Sequence, residues 1–168
     1  MSDASKKRII RALVHTAVLL GLFVLQAMVF SRLRIFGIAP LILPLAVIGV
    51  GLFEGPSWGG AFGLAAGALT DMAFLSSTVL FTISLTVLGM GVGLLSAYLL
   101  RRGFPSFFLT SVAALFVIAV LQMFPLLVFW GESPLALLRV AGLQTLYSMI
   151  FVLPIYYLAR ALGQRAKV

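Results

Sequence analysis

GGAFGLAAGALTD, residues Gly59 to Asp71, is the stretch on which the reading of this chain turns. Glycine recurs every four residues, at Gly59, Gly63 and Gly67, and the next position in the series is Asp71. On an α-helix a four-residue step advances about 400°, so the glycines form a narrow stripe without side chains that drifts by about 40° per step. In water each glycine costs a helix about 0.5–1 kcal/mol relative to alanine. In a bilayer, small residues at this spacing let a second helix approach closely. The stretch therefore predicts a membrane helix with a packing groove, ending in one of only four acidic residues of the chain.

The composition points the same way. Of 168 residues, 62% are hydrophobic and 10% charged, and the mean hydropathy is +1.20, more apolar surface than one soluble core can hide. The expected fold is an all-α integral membrane protein, a single domain over residues 1–168 built as a bundle of about six transmembrane helices. With no cysteine, disulfides, thiolate metal sites and lipidated cysteine are excluded. The net charge of +8 does not read as a nucleic-acid footprint, because the basic residues gather at the ends of apolar runs. Membrane topology and anionic lipid headgroups explain them better.

The spans expected are roughly 9–30, 40–53, 57–76, 78–100, 105–130 and 139–158. The first follows a basic leader and is long enough to stay as an anchor. The second, from Pro40 to Phe53, is about 14 residues or about 21 Å, short against a hydrocarbon core of about 30 Å. It is joined through Glu54-Gly55-Pro56 to the third, making a short, tight hairpin that either crosses or is re-entrant. Ser76, Ser77 and Thr78 offer N-caps for the fourth span. There Gly89, Gly93 and Ala97 repeat the small-residue spacing, Gly91 widens the opening, and Gly89 and Gly93 are the first candidate partners of the Gly59 stripe. The fifth carries Gln122 and an expected kink at Pro125, and the sixth has Gln144 within it and Pro154 near its end. Six spans put both termini on one side. Nine lysines and arginines on that side against Arg32, Arg34 and Arg139 on the other orient the N and C termini to the cytoplasm.

Chemistry-bearing side chains are sparse. Asp3, Glu54, Asp71 and Glu132 are spread over separate helix ends, there is a single histidine, and no metalloprotease, phosphate-loop or paired-carboxylate pattern occurs, so no enzyme is expected. Asp71 is placed about 8 Å inside a helix C-terminus, the wrong pole for an anion. It is read either as a carboxylate paired with Arg32, Arg34, Arg139 or a partner protein, or as a helix end in water. Glu54 reads as a solvated turn residue beside Gly55 and Pro56. His15 reads as an interfacial imidazole with no second titratable partner on its helix face. Gln26, Gln122 and Gln144 read as interhelical hydrogen-bonding residues, with a ligand cavity as the other reading. The glycine stripe reads as packing within the chain rather than a homo-oligomer seam.

Residues Phe36 to Met72, FGIAPLILPLAVIGVGLFEGPSWGGAFGLAAGALTDM, resemble the MreD family of rod-shape-determining bacterial inner-membrane proteins. Pro40, Gly55, Gly63, Gly67 and Asp71 occupy the positions that carry the pattern. Leu41 departs from it, where members often have a polar residue, and so does Phe74-Leu75-Ser76-Ser77, where a glycine-rich turn is usual. The resemblance implies a non-enzymatic scaffold of the cell-elongation machinery in the bacterial inner membrane, without a cofactor. Its implied partners are a bitopic MreC-like protein, the MreB filament, and the glycan polymerase and transpeptidase of lateral wall synthesis. The alternative is the substrate-binding membrane subunit of an energy-coupling-factor vitamin transporter, similar in size and span count. That subunit needs several polar groups around its ligand, which the outward half of this chain scarcely offers beyond Asp71, Gln26 and Gln144.

Overall fold

The computed structural model describes residues 3–30, 32, 40–73, 80–98, 103–130 and 134–165. Among these the chain is helical and contains no strand. Helix α1 (Asp3–Val24) continues through a π-helical turn, Leu25–Phe30. It is followed by α2 (Leu43–Glu54), α3 (Pro56–Ala73), α4 (Leu80–Tyr98), α5 (Phe104–Trp130), α6 (Pro134–Met149) and α7 (Val152–Arg165).

Among the described residues, three helical segments are long and apolar enough to cross a membrane: Ile9–Met28, Leu80–Tyr98 and Phe104–Gln122. A fourth arises if Leu138–Met149 and Val152–Gln164 act as one broken span. The sixth apolar run is thus two helices bent by 56° instead of one continuous helix. Proline explains the break. Pro154, in the first turn of α7, has no N–H to offer the carbonyl of Ile150, and its ring collides with that carbonyl in a continuous helix. By contrast α5 runs on through Pro125.

Helix α2 lies at the centre. Every residue from Pro40 to Leu52 is buried, and its sequence is apolar on all sides, as a helix enclosed by other helices requires. It packs against α3 and α4 on one flank and α5 and α7 on another, with a lighter contact to α1. Two glycines make room for these approaches. A Cβ on Gly49 would stand 2.5 Å from the Ala159 Cβ of α7, and one on Gly51 would stand 2.6 Å from the Gly89 carbonyl oxygen of α4. At twelve residues α2 is only about 18 Å long.

The turn from α2 to α3 is a single residue. Gly55 has φ 99° and ψ −178°, a backbone conformation open essentially to glycine alone. Its N–H closes the last turn of α2 on the Gly51 carbonyl at 3.0 Å. Pro56, the first residue of α3, has no N–H to leave unsatisfied.

Helices α3 and α4 form the most extensive helix pair. Gly59, Gly63 and Gly67 face α4 so closely that a Cβ on each would collide with the backbone of Gly89, of Leu85 and Thr86, and of Phe81 and Thr82, respectively. On α4, Gly89 faces Gly59 and Gly93 faces Pro56 and Gly55. The buried face of α4 continues to Ser96, whereas Ala97 is exposed and Gly91 has open space around it. Ala97 therefore stands off the packing face that the four-residue spacing assigned to it, and Gly91 does not widen the opening toward α3. The face follows 85, 89, 92, 93 and 96, the mixed three- and four-residue steps of a 3.6-residue helix.

Candidate functional site

Three polar junctions tie these helices together, and each joins residues that lie on different elements.

The first is a buried cluster at the α2–α3 turn. Glu54, the last residue of α2, has its side chain 1% exposed. Its Oε2 accepts from Arg11 Nη2 at 2.8 Å and Nε at 3.2 Å, and its Oε1 lies 2.7 Å from His15 Nε2. His15 Nδ1 stands 2.8 Å from the Arg11 carbonyl oxygen, one helical turn back. From α3, Trp58 lies beneath the Arg11 guanidinium, 4.7 Å from the ring centroid, and its ring is 5.0 Å from that of His15. Phe62 closes the imidazole from the next turn at 6.2 Å. Such a cation over an indole adds about 0.5–1 kcal/mol at exposed sites and more when desolvated.

This cluster revises two expectations. Glu54 is a clasped, buried carboxylate and not a solvated turn residue, because α1 crosses the end of α2 and removes it from water. His15 is likewise buried against other helices, and its titratable partner comes from another helix. Helix periodicity reports only neighbours on the same helix, so that pairing left no trace in spacing. A weak signal was available: two of the most expensive residue types for a membrane helix, at i and i+4 on α1, need an acceptor from elsewhere.

The second junction is at Asp71. Its Oδ2 accepts from the Thr82 backbone N–H at 2.9 Å and the Thr82 hydroxyl at 2.7 Å, and its Oδ1 accepts from the Phe81 N–H at 3.3 Å. A carboxylate at the unfavourable end of α3 thus sits at the favourable end of α4, whose first-turn N–H groups have no partner in their own helix. Among the described residues Asp71 makes no ion pair. Arg32 and Arg139 are exposed, and Arg34 lies outside the described residues, as do Ser76, Ser77 and Thr78.

The third junction holds the start of α2. Gln26, in the π-helical turn after α1, accepts through Oε1 from the N–H groups of Ile42 and Leu43 at 3.0 and 2.9 Å. Ser148, just before the α6–α7 break, accepts the Leu41 N–H at 2.9 Å. An enclosed helix N-terminus is thereby satisfied by two side chains from distant elements, which a dry interior demands. Of the other glutamines, Gln122 has a buried Nε2 without a hydrogen-bond partner, as does Ser111 at Oγ on the same helix, and Gln144 is half-buried.

Chemically these junctions bind helices to one another. No group of three metal-ligating side chains occurs among the described residues. A small apolar crevice, with an internal space of about 10 Å³, lies between α1, α2, α3 and α7 and is lined by carbon-rich side chains such as Val18, Leu22, Ala46 and Leu162. No protein-family model matches this chain, and neither a curated protein nor a solved structure does.

Proposed function

We propose that this protein is a non-enzymatic membrane scaffold of the bacterial cell-elongation machinery, a six-span protein of the inner membrane with both termini in the cytoplasm. In this reading it holds a bitopic MreC-like protein and helps couple MreB filaments to peptidoglycan synthesis. The observation that carries the scaffold part is the use made of the polar side chains. Asp71, Gln26 and Glu54 each bond to a different helix from their own, so that polarity serves helix assembly. The cell-elongation part rests on the pattern from Phe36 to Met72, with Pro40, Gly55, Gly63, Gly67 and Asp71 at its key positions.

Co-purification in mild detergent with the bitopic partner, together with loss of rod shape on deletion, is the expected result. A stable, partner-free protein whose deletion leaves cell shape unchanged overturns the proposal. Tight binding of a vitamin measured by calorimetry would replace it with the transporter-subunit reading.

A further inference from the structure

Helix α1 sits on the outside of the bundle. Its apolar residues Ile9, Ile10, Leu13, Leu20 and Val24 are exposed, and its contacts to the other helices are chiefly to α2 and α3. The Arg11–His15–Glu54 cluster is the polar fastening at that contact. The number of protons in it follows from geometry. The Arg11 carbonyl can only accept, so the contact at His15 Nδ1 is a hydrogen bond only when that nitrogen carries a hydrogen. The 2.7 Å contact of His15 Nε2 with Glu54 Oε1 then needs one further proton between two atoms that are otherwise both acceptors. A neutral imidazole has one N–H, which can serve Glu54 Oε1 or the Arg11 carbonyl but not both.

We propose that the His15–Glu54 contact is a proton-dependent latch that holds α1 against the α2–α3 hairpin. With the shared proton present, both ring nitrogens and both carboxylate oxygens are satisfied. When it leaves, the ring keeps one hydrogen for two acceptors: the imidazolium charge beside Glu54 is gone, and one of the two buried contacts is left with lone pair against lone pair. The groups facing His15 are Glu54 from α2, Arg11 from its own helix, and Trp58 and Phe62 from α3; neither aromatic residue titrates. Arg11 remains charged throughout and keeps its hold on Oε2. The latch is therefore closed at low pH and opens as pH rises, with α1 loosened about Arg11 but still tethered. This device is independent of the partner assigned above.

The chain contains one histidine and no cysteine, so both probes are unambiguous. Imidazole-¹⁵N histidine labelling in lipid nanodiscs reports His15 alone. Spin labels on Leu13→Cys and Leu64→Cys, both at exposed positions, report the distance between α1 and α3. Measurements run from about pH 5.5 to about pH 9, on either side of the ordinary imidazole range near 6.5. The expected result is two protonated ring nitrogens at the acid end, loss of one ring proton on raising the pH, and a lengthened or broadened distance with the same midpoint. His15→Gln, which cannot titrate, should abolish the pH dependence of the distance. Should that variant not fold, the His15 titration and label distance in the otherwise unaltered chain decide alone. A His15 that titrates while the distance stays constant overturns the proposal, and so does a His15 with no change of protonation over the range.

Discussion

The Asp71 carboxylate accepts both the backbone N–H and the hydroxyl of Thr82, so the last turn of α3 caps the first turn of α4. The most extensive helix pair is thereby also fastened at the end where the chain passes from α3 to α4. Replacing a capping side chain by alanine costs about 0.5–2 kcal/mol. Asp71→Ala should fall at the upper end of that range, because three donors lose their acceptor. Asp71→Asn keeps one acceptor oxygen and should lose less. Thermal or denaturant unfolding in detergent measures both, and Thr82→Val combined with Asp71→Ala should be less than additive, since the two side chains share a bond.

Added methyl groups on the α3–α4 interface should separate the helices. Gly63→Ala and Gly89→Ala each place a Cβ against a backbone carbonyl, which cannot yield as a flexible side-chain end does. Overpacking of this kind costs about 1–3 kcal/mol. Gly91→Ala is the control: nothing lies within 4 Å of its Cβ, so the better helix former should be neutral or stabilising. Equal loss of melting temperature for Gly91→Ala and Gly63→Ala would contradict this account.

Gly55→Ala tests the hairpin without any contact change, because nothing lies within 4 Å of its Cβ. Its φ of 99° strains an alanine by about 1–3 kcal/mol. The expected outcome is lower stability with retained helix content by circular dichroism.

Gln26→Leu leaves the N–H groups of Ile42 and Leu43 buried without their acceptor. An unsatisfied buried donor costs about 1–3 kcal/mol, so this single substitution should rank among the more destabilising ones in the chain. Hydrogen exchange at Ile42 and Leu43 should accelerate before exchange elsewhere in α2.

The sequence by itself determined what is local. The long apolar runs fix a helical chain with segments able to cross a membrane, because an unbonded backbone is too costly there. Gly55 followed by Pro56 marks the turn between α2 and α3, since the conformational limits of those residues act within the turn itself. The four-residue spacing of Gly59, Gly63 and Gly67 marks a face, but nothing in that spacing says which helix fills it. Tertiary structure decided the rest. His15 and Glu54 lie 39 residues apart, Gln26 and Ile42 16 apart, and Leu41 and Ser148 107 apart. Asp71 stands at the wrong pole of its own helix, and only the packing of α4 brings a favourable N-terminus to the carboxylate. Each of these bonds forms only where packed helices bring two ends together, and that meeting depends on side-chain packing and not on the periodicity of either helix.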